Sequence, residues 1–259
     1  MLEIRNLSAG YPGKQVLSEL CLKVPAGSLT VVVGPNGCGK STLLKAITGI
    51  LPASGSVLLH GAQLQILPAR ERARKIAFLP QNRSVPELTA GKLVLHGRFP
   101  WLGYPRRYRQ EDRQIAQAAM EQMGVEALAD RDLTALSGGE RQKVYIAMLL
   151  AQQTPVILMD EPTAFLDVAH KLELMHIARQ LTRQGTTVVM VLHDLDLAMH
   201  YGDLVAVMEE GRVPMCAAPS EIYRSGILER IFRIRMGRTH TPDGFQYYFL
   251  PEQGHKSET

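Results

Sequence analysis

The sequence predicts an α/β fold: a mainly parallel sheet covered by helices, with antiparallel strands near the amino terminus and a helical insertion in the middle. Three observations predict it. Short apolar, β-branched runs alternate with stretches of helical spacing through the second half of the chain. Val31-Val32-Val33 passes into a glycine-rich turn and then into a helical stretch. Between Thr89 and Leu133 the strand pattern gives way to helical spacing. At 46% hydrophobic and 21% charged residues the chain matches globular norms, which excludes disorder and fibrous repeats. Its 259 residues allow one large domain, or a main domain with a smaller subdomain, at roughly 100–200 residues each.

The elements follow in order. Strands are expected at Leu2 to Leu7, Leu20 to Val24 and Leu29 to Val33, separated by the turns Gly10-Tyr11-Pro12-Gly13 and Pro25-Ala26-Gly27. A helix begins near Lys40, and further strands fall at Ser56 to Leu59 and Ile76 to Leu79. Ile115, Ala118, Ala119 and Met123 give Glu111 to Met123 an apolar helical stripe, while Phe99, Pro100, Gly103 and Pro105 interrupt the approach to it. Strand and helix then alternate: Val156 to Met159, a helix from Val168, Thr187 to Val191, a helix from Asp194, and Leu204 to Met208. Phe245, Tyr247 and Phe249 alternate with polar neighbours as a final strand. We expect a main domain at 1–235, with the helical insertion at about 86–135, and a carboxy-terminal extension at 236–259.

Lysine and arginine exceed aspartate and glutamate by 29 to 25, a net charge of +4 that suits an anionic ligand or a membrane-proximal surface without demanding nucleic acid. Cys21, Cys38 and Cys216 are far apart and form no C-x-x-C pair, which suggests a reducing compartment and neither a disulfide framework nor a zinc site. The first residues carry Glu3 and no apolar core, so they do not read as a signal peptide. The longest apolar stretch, Val144 to Ala151, is far short of the ~20 residues that cross a bilayer. A soluble chain is expected, with any membrane role reached through a partner.

Gly34-Pro35-Asn36-Gly37-Cys38-Gly39-Lys40-Ser41 fits G-x-x-x-x-G-K-[ST] after a β-branched strand. Glycines there permit positive φ and bring backbone N–H groups against phosphate oxygens. Lys40 adds a point charge between β- and γ-phosphates, Ser41 a hydroxyl ligand for Mg²⁺, and the following helix points its positive end at the same anion. Val156 to Met159 ends in Asp160-Glu161-Pro162. Two acids at a strand end are ordinarily solvated; beside a phosphate loop, Asp160 suits the Mg²⁺ hydration shell and Glu161 the attacking water. Leu136-Ser137-Gly138-Gly139-Glu140 precedes a helical run, where Ser137 can cap the helix. Two glycines are wasteful in a mere cap, and make sense if bare N–H groups close on an anion from another subunit.

With these motifs the chain resembles the nucleotide-binding subunits of ATP-binding-cassette transporters, from Leu2 to about Phe232. The phosphate loop, Gln81 after a strand, LSGGE, Asp160-Glu161, Leu166-Asp167 and His193 stand in the family's order. The resemblance implies a RecA-like P-loop NTPase core, an antiparallel β subdomain and an inserted helical subdomain. It also implies that ATP and Mg²⁺ are bound by a homodimer in which residues Gly34 to Thr42 of one chain face Ser137, Gly138 and Gly139 of the other. Under it, Tyr11 stacks on adenine, Gln81 contacts Mg²⁺ and the attacking water, Asp167 lies in a loop crossing to the opposite subunit, and His193 contacts the γ-phosphate. Phe165 departs from the small or polar residue that many members carry. Alkylation of Cys38 inside the phosphate loop is expected to block turnover.

His96-Gly97-Arg98-Phe99-Pro100-Trp101-Leu102-Gly103, Leu192-His193-Asp194-Leu195-Asp196-Leu197-Ala198 and the tail after Phe232 are similar to segments of importer ATPases for iron–siderophore complexes, haem and vitamin B12. That resemblance implies integral membrane permease subunits as partners, a substrate-binding protein indirectly, a peripheral position on the cytoplasmic face of the inner membrane, and no nucleic acid. Arg106, Arg107 and Arg109 read either as a solvated basic turn or as contacts to lipid phosphates or acidic loops, and Phe99 and Trp101 as packing residues. The competing class is a soluble ATPase of the same fold acting on nucleic acid or ribosomes. A regulator without turnover is disfavoured by Glu161 and His193.

Overall fold

The computed structural model describes residues 1–81, 83–164, 166–241 and 244–252; Phe165 lies outside them. Strands β1 (Leu2–Tyr11), β2 (Lys14–Val24), β4 (Ala53–Leu59) and β5 (Ala62–Gln63) form an antiparallel sheet in the order β2-β1-β4-β5. Strands β3 (Leu29–Val33), β6 (Ile76–Leu79), β7 (Val156–Asp160), β8 (Thr187–Val191), β9 (Leu204–Glu209) and β10 (Arg212–Ala217) form the second sheet, ordered β10-β9-β3-β8-β7-β6. Only its β9–β10 pair is antiparallel. Helices α1 (Lys40–Thr48), α2 (Ala69–Ala73), α3 (Ala90–His96), α4 (Gln110–Gln122), α5 (Gly138–Ala151), α6 (Val168–Arg183), α7 (Leu195–Tyr201), α8 (Pro219–Ser225) and α9 (Ile227–Phe232) surround the two sheets. A hairpin of β11 (Ile234–Thr241) and β12 (Gly244–Pro251) closes the described chain.

The parallel strands are buried on both faces, as continuous Val, Ile, Leu and Met runs require. Alternate residues divide between two cores. Leu29, Val31, Val33, Ile157, Met159, Val188 and Met190 face one that also takes side chains of α3, α4, α5 and α6. Val32, Val156, Leu158, Val189 and Val191 face the other, shared with α1 and the antiparallel sheet. Register aligns the carboxyl ends of the strands: Leu79 pairs with Met159, Asp160 with Val191, and Val33 with Val207. Ligands of open α/β sheets bind in the crevice beyond such ends.

The fold matches the expected α/β class and the central elements fall where expected. The first hairpin is longer than the sequence suggests. β1 runs on to Tyr11 through register shifts, and β2 starts at Lys14. The signal was hidden because Gly10 reads as a turn residue. Here it serves a close approach instead, since a Cβ on it would lie 2.2 Å from the Lys14 carbonyl oxygen.

Phe99 and Trp101 pack as expected yet stay more than a third exposed. Trp101 donates its Nε1–H to the Gln152 carbonyl and lies under the guanidinium groups of Arg74 and Arg98. Arg106 stacks on Phe99, and Arg109 starts α4, its N–H bonded to Asp112. Among the described residues no helix is long and apolar enough to cross a membrane.

Candidate functional site

The phosphate loop joins β3 to α1. A Cβ at Gly34 would sit 2.3 Å from the Met208 carbonyl oxygen of β9, so the loop passes against the neighbouring strand with no room for a side chain. Gly39 holds φ +107° where α1 begins, a conformation glycine adopts freely, and no side chain caps that helix. Its first N–H groups are left for an anion. Lys40 is buried and its Nζ donates to the carbonyl oxygens of Gly34 at 2.7 Å and Pro35 at 2.9 Å. The ammonium is thus held within the loop by the carbonyls of its own chain.

Asp160 ends β7 and is 2% exposed. Burial pushes its carboxyl above the ordinary value, although the Ser41 hydroxyl beside it and the Lys45 and Lys40 ammonium groups pull the other way. Its Oδ1 is buried with no hydrogen-bond partner among the described residues. A buried, unpartnered carboxylate oxygen beside a hydroxyl is the donor set a hard divalent cation takes, so these residues fit Mg²⁺.

Glu161 follows at φ +51°, in the left-handed region that costs a non-glycine residue roughly 1–2 kcal/mol. Its N–H donates to the Val191 carbonyl at 3.2 Å, tying the strained residue to β8. Both carboxylate oxygens are engaged, Oε2 by Gln81 Nε2 at 2.5 Å and Oε1 by His193 Nε2 at 2.6 Å. Strain of this kind persists where the surroundings over-determine it, as at functional sites.

A cleft of about 550 Å³ brings together Tyr11, Asn36, Gly37, Gly39, Lys40, Ser41, Thr42, Gln81, Glu161 and His193. Sequence reasoning missed two of its residues, Lys14 and Val16. The signal for Lys14 was a basic residue three positions beyond Tyr11, obscured because the hairpin was expected to start later. Cys38 is in the loop but largely buried, at 8% exposure. Cys38 packs in the core with Leu17, Leu43 and Met208, and burial pushes the thiol pKa up. Both make the native thiol a slow target, and loss of turnover on alkylation of Cys38 stands as an expectation.

The structure does not bring the LSGGE segment to this cleft. Ser137 caps α5, its Oγ accepting from the Glu140 N–H at 3.3 Å while the Glu140 carboxylate accepts from the Ser137 N–H at 2.9 Å. The Ser137 hydroxyl also donates to Glu140, and this bond holds the Glu140 carboxyl below its usual range. Gly138, exposed, and Gly139, half-buried, open the helix. Asp167 likewise caps α6, accepting from the His170 N–H at 2.9 Å, and is exposed. These groups could complete a phosphate site only for a neighbouring molecule.

A family model described as "ABC transporter" matches residues 17–164. The ferric enterobactin transport ATP-binding protein of Escherichia coli (strain K12) is 40% identical over 233 residues, 89% of this chain and 86% of that protein. The hemin import ATP-binding protein of Rhodococcus jostii (strain RHA1) is 44% identical over 223 residues, covering 85% and 75%. Among solved structures, an inward-facing putative metal-chelate type ABC transporter superposes with a TM-score of 0.82 at 27% identity, covering 96% of each chain.

Proposed function

This chain belongs to the ABC transporter family, and from that premise we propose that it is the ATP-hydrolysing subunit of an importer that takes up an iron chelate, a ferric siderophore or haem. It is an ATPase of RecA-like fold that uses ATP with Mg²⁺. The cargo reading is supported by the names of the relatives, which also weigh against action on nucleic acid or ribosomes. The observation that carries the catalytic reading is the Glu161 carboxylate, one residue beyond β7, engaged by Gln81 and His193 in the cleft that holds Lys40.

In this reading Gly34 to Gly39 present backbone N–H groups to the phosphates, Lys40 leaves its own carbonyls for the β- and γ-phosphates, and Tyr11 stacks on the base. Ser41, Gln81 and Asp160 would hold Mg²⁺, which supplies charge neutralisation of the phosphates. Glu161 accepts the proton of the attacking water, Gln81 orients that water, and His193 turns to the γ-phosphate. Phosphoryl transfer to water is chiefly positioning and charge stabilisation, so these contacts carry most of the acceleration.

Ser137, Gly138 and Gly139, remote from the cleft of their own chain, close on the γ-phosphate of a second copy with Asp167 nearby. ATP thereby binds the closed homodimer better than the open one, which is what a nucleotide-driven switch requires. The homodimer works beneath integral membrane permease subunits, peripheral to the cytoplasmic face of the inner membrane. A substrate-binding protein delivers cargo on the other side.

We divide the chain into the catalytic domain at 1–235, with the helical subdomain at 86–135, and the extension at 236–259. Reconstitution tests the reading. The chain should copurify with a polytopic membrane protein, and in proteoliposomes a ferric siderophore or haem should accumulate at the expense of ATP. Glu161→Gln should lower turnover at least about 100-fold while ATP still binds and traps a closed dimer. Undiminished turnover in that variant, or purification with a nucleic acid in place of a membrane protein, would overturn it.

A further inference from the structure

Two residues that neither motif nor cleft contains are linked to Glu161 through its neighbour Pro162. Arg83, two positions after Gln81, donates from Nη2 to Gln142 Oε1 at 2.5 Å. Gln142 lies in α5, 5% exposed, and passes the contact on: its Nε2 donates to the Pro162 carbonyl at 2.7 Å. Pro162 adjoins Glu161, whose carboxylate accepts from Gln81. The contacts therefore form a ring: Gln81 to Glu161, along the chain to Pro162, across to Gln142, and back through Arg83 to the segment of Gln81.

Arg83 is poorly placed for stability alone. Its guanidinium stacks on the Tyr145 ring at 4.2 Å, Nη1 is buried with no partner among the described residues, and no salt bridge to a carboxylate is formed there. Burial depresses the pKa of the group. A buried cation without a counter-charge ordinarily costs more than an apolar residue of the same size. Tyr145 fixes the same segment by donating to the Ser84 carbonyl at 3.3 Å. Gln142 is, in turn, a polar side chain among the mostly apolar buried residues of α5. Its two amide ends are both used, so an isosteric acid could keep only one of them.

We propose that Arg83 and Gln142 are positioning residues for hydrolysis: they hold the Pro162 peptide, and with it the strained backbone of Glu161, in register with the segment that follows Gln81 and with the helix that begins at Ser137. Displacement of either element is then felt at the catalytic carboxylate through two hydrogen bonds, with no contact between Arg83 or Gln142 and the nucleotide. This rests on Glu161 as the group that receives the proton from water.

Steady-state hydrolysis by the full-length protein tests it, alongside binding of a fluorescent ATP analogue and thermal unfolding. Gln142→Glu keeps an acceptor for Arg83 and replaces the donor to Pro162 by an oxygen. It should lower kcat about tenfold, with KM within about twofold and the unfolding temperature unchanged, since a misplacement of the reacting groups below 1 Å costs this much. Arg83→Met should show the same split, and Arg83→Lys, which can still reach Gln142, should recover part of the loss. A Gln142→Glu protein with wild-type kcat would overturn the proposal even if Arg83→Met fails to fold, as would losses that follow KM or thermal stability instead. Glu161→Gln separates the two readings. Normal turnover there removes the premise, whereas an inactive Glu161→Gln beside fully active Arg83 and Gln142 variants removes only the positioning role.

Discussion

A methyl group added at Gly34 would meet the Met208 carbonyl oxygen at 2.3 Å, whereas one added at Gly139 meets nothing nearer than Leu166 Cδ2, at 3.9 Å. The phosphate loop needs its glycine for the fold of its own chain. The signature segment does not: Gly139 lies in the first turn of α5, where alanine is the better helix former. The same contrast runs through the polar groups. Lys40 is held by the carbonyls of the loop after β3, and Asp160 and Glu161 by the end of β7 and its neighbours, with one Asp160 oxygen unpartnered among the described residues. Ser137 and Glu140 satisfy each other at the surface. One region is half of a phosphate site assembled by its own chain, and the other is a stable helix end in which Gly139 answers no steric need of the molecule that carries it.

Mixing two crippled chains tests that division most severely. Lys40→Ala and Gly139→Asp proteins should each hydrolyse ATP at least about 100-fold more slowly than wild type, the first losing the phosphate charge and the second blocking closure. In an equimolar mixture half of the dimers are mixed, and each mixed dimer carries one site built from two unaltered halves, so turnover should return to about a quarter of wild type. A mixture as inactive as its components would show that LSGGE does not serve a neighbouring chain.

Single methyl groups sharpen the same contrast. Gly34→Ala should unfold at a temperature lowered by several degrees and bind ATP poorly, because backbone must move to admit the methyl, at about 1–3 kcal/mol. Gly139→Ala should be as stable as wild type or up to about 1 kcal/mol more stable, yet hydrolyse ATP about tenfold more slowly if the methyl meets a phosphate of the second copy. Calorimetry and steady-state assays on both variants check the pair. Equal thermal loss at the two positions would contradict the structural difference.

What could be read from the sequence follows from the same physics. Leu29 to Val33, Ile76 to Leu79 and Thr187 to Val191 were legible to the residue because strands buried on both faces are continuous apolar runs bounded by turns. Lys40 and the Asp160-Glu161 pair were legible because a phosphate site needs fixed spacing along the chain. β2 was half hidden, since Lys14, Gln15 and Glu19 are exposed and break the alternation. β11 gave no signal at all: Arg235, Arg238 and Thr239 leave it largely polar, and it is held by its pairing with β12 and by a bond from the Met236 N–H to Glu229. Arg83 and Gln142 were invisible for a further reason. Their meeting depends on two segments 59 residues apart, and neither residue type is unusual where it stands.

Asp160 offers a smaller effect with a definite sign. Its carboxyl pKa is raised in the folded, nucleotide-free protein, so that state holds the proton more tightly than the unfolded chain does. The stability this confers is complete below the ordinary carboxylate range and is lost as pH rises through the raised value. Above that raised value, therefore, the ionised and partly unpartnered Asp160 weakens the fold. Asp160→Asn should raise the unfolding temperature of the nucleotide-free protein by about 2–4 °C for each kcal/mol relieved, and the gain should vanish in acid. The same variant should lose Mg²⁺-dependent turnover. A protein destabilised at neutral pH by this change would place the strain elsewhere.

The smallest effect concerns the thiols, and it checks how closed the loop is from behind. Cys21 is exposed on β2, its Sγ hydrogen-bonded to Asn6 and to the Glu19 carbonyl, while Cys38 is buried and Cys216 half-buried, and burial raises both thiol pKa values, that of Cys216 to about 11. The attacking species is the thiolate, so raising the pKa and removing access slow modification together. At neutral pH a maleimide should label Cys21 quickly, with ATPase activity unchanged, Cys216 slowly, and Cys38 only in denaturant. Labelling identified by mass spectrometry of peptides decides it. Rapid reaction at Cys38 in the native, nucleotide-free protein would mean that the loop opens away from Met208 and Leu43, and that the fit around Gly34 is looser than its 2.3 Å approach to the Met208 carbonyl requires.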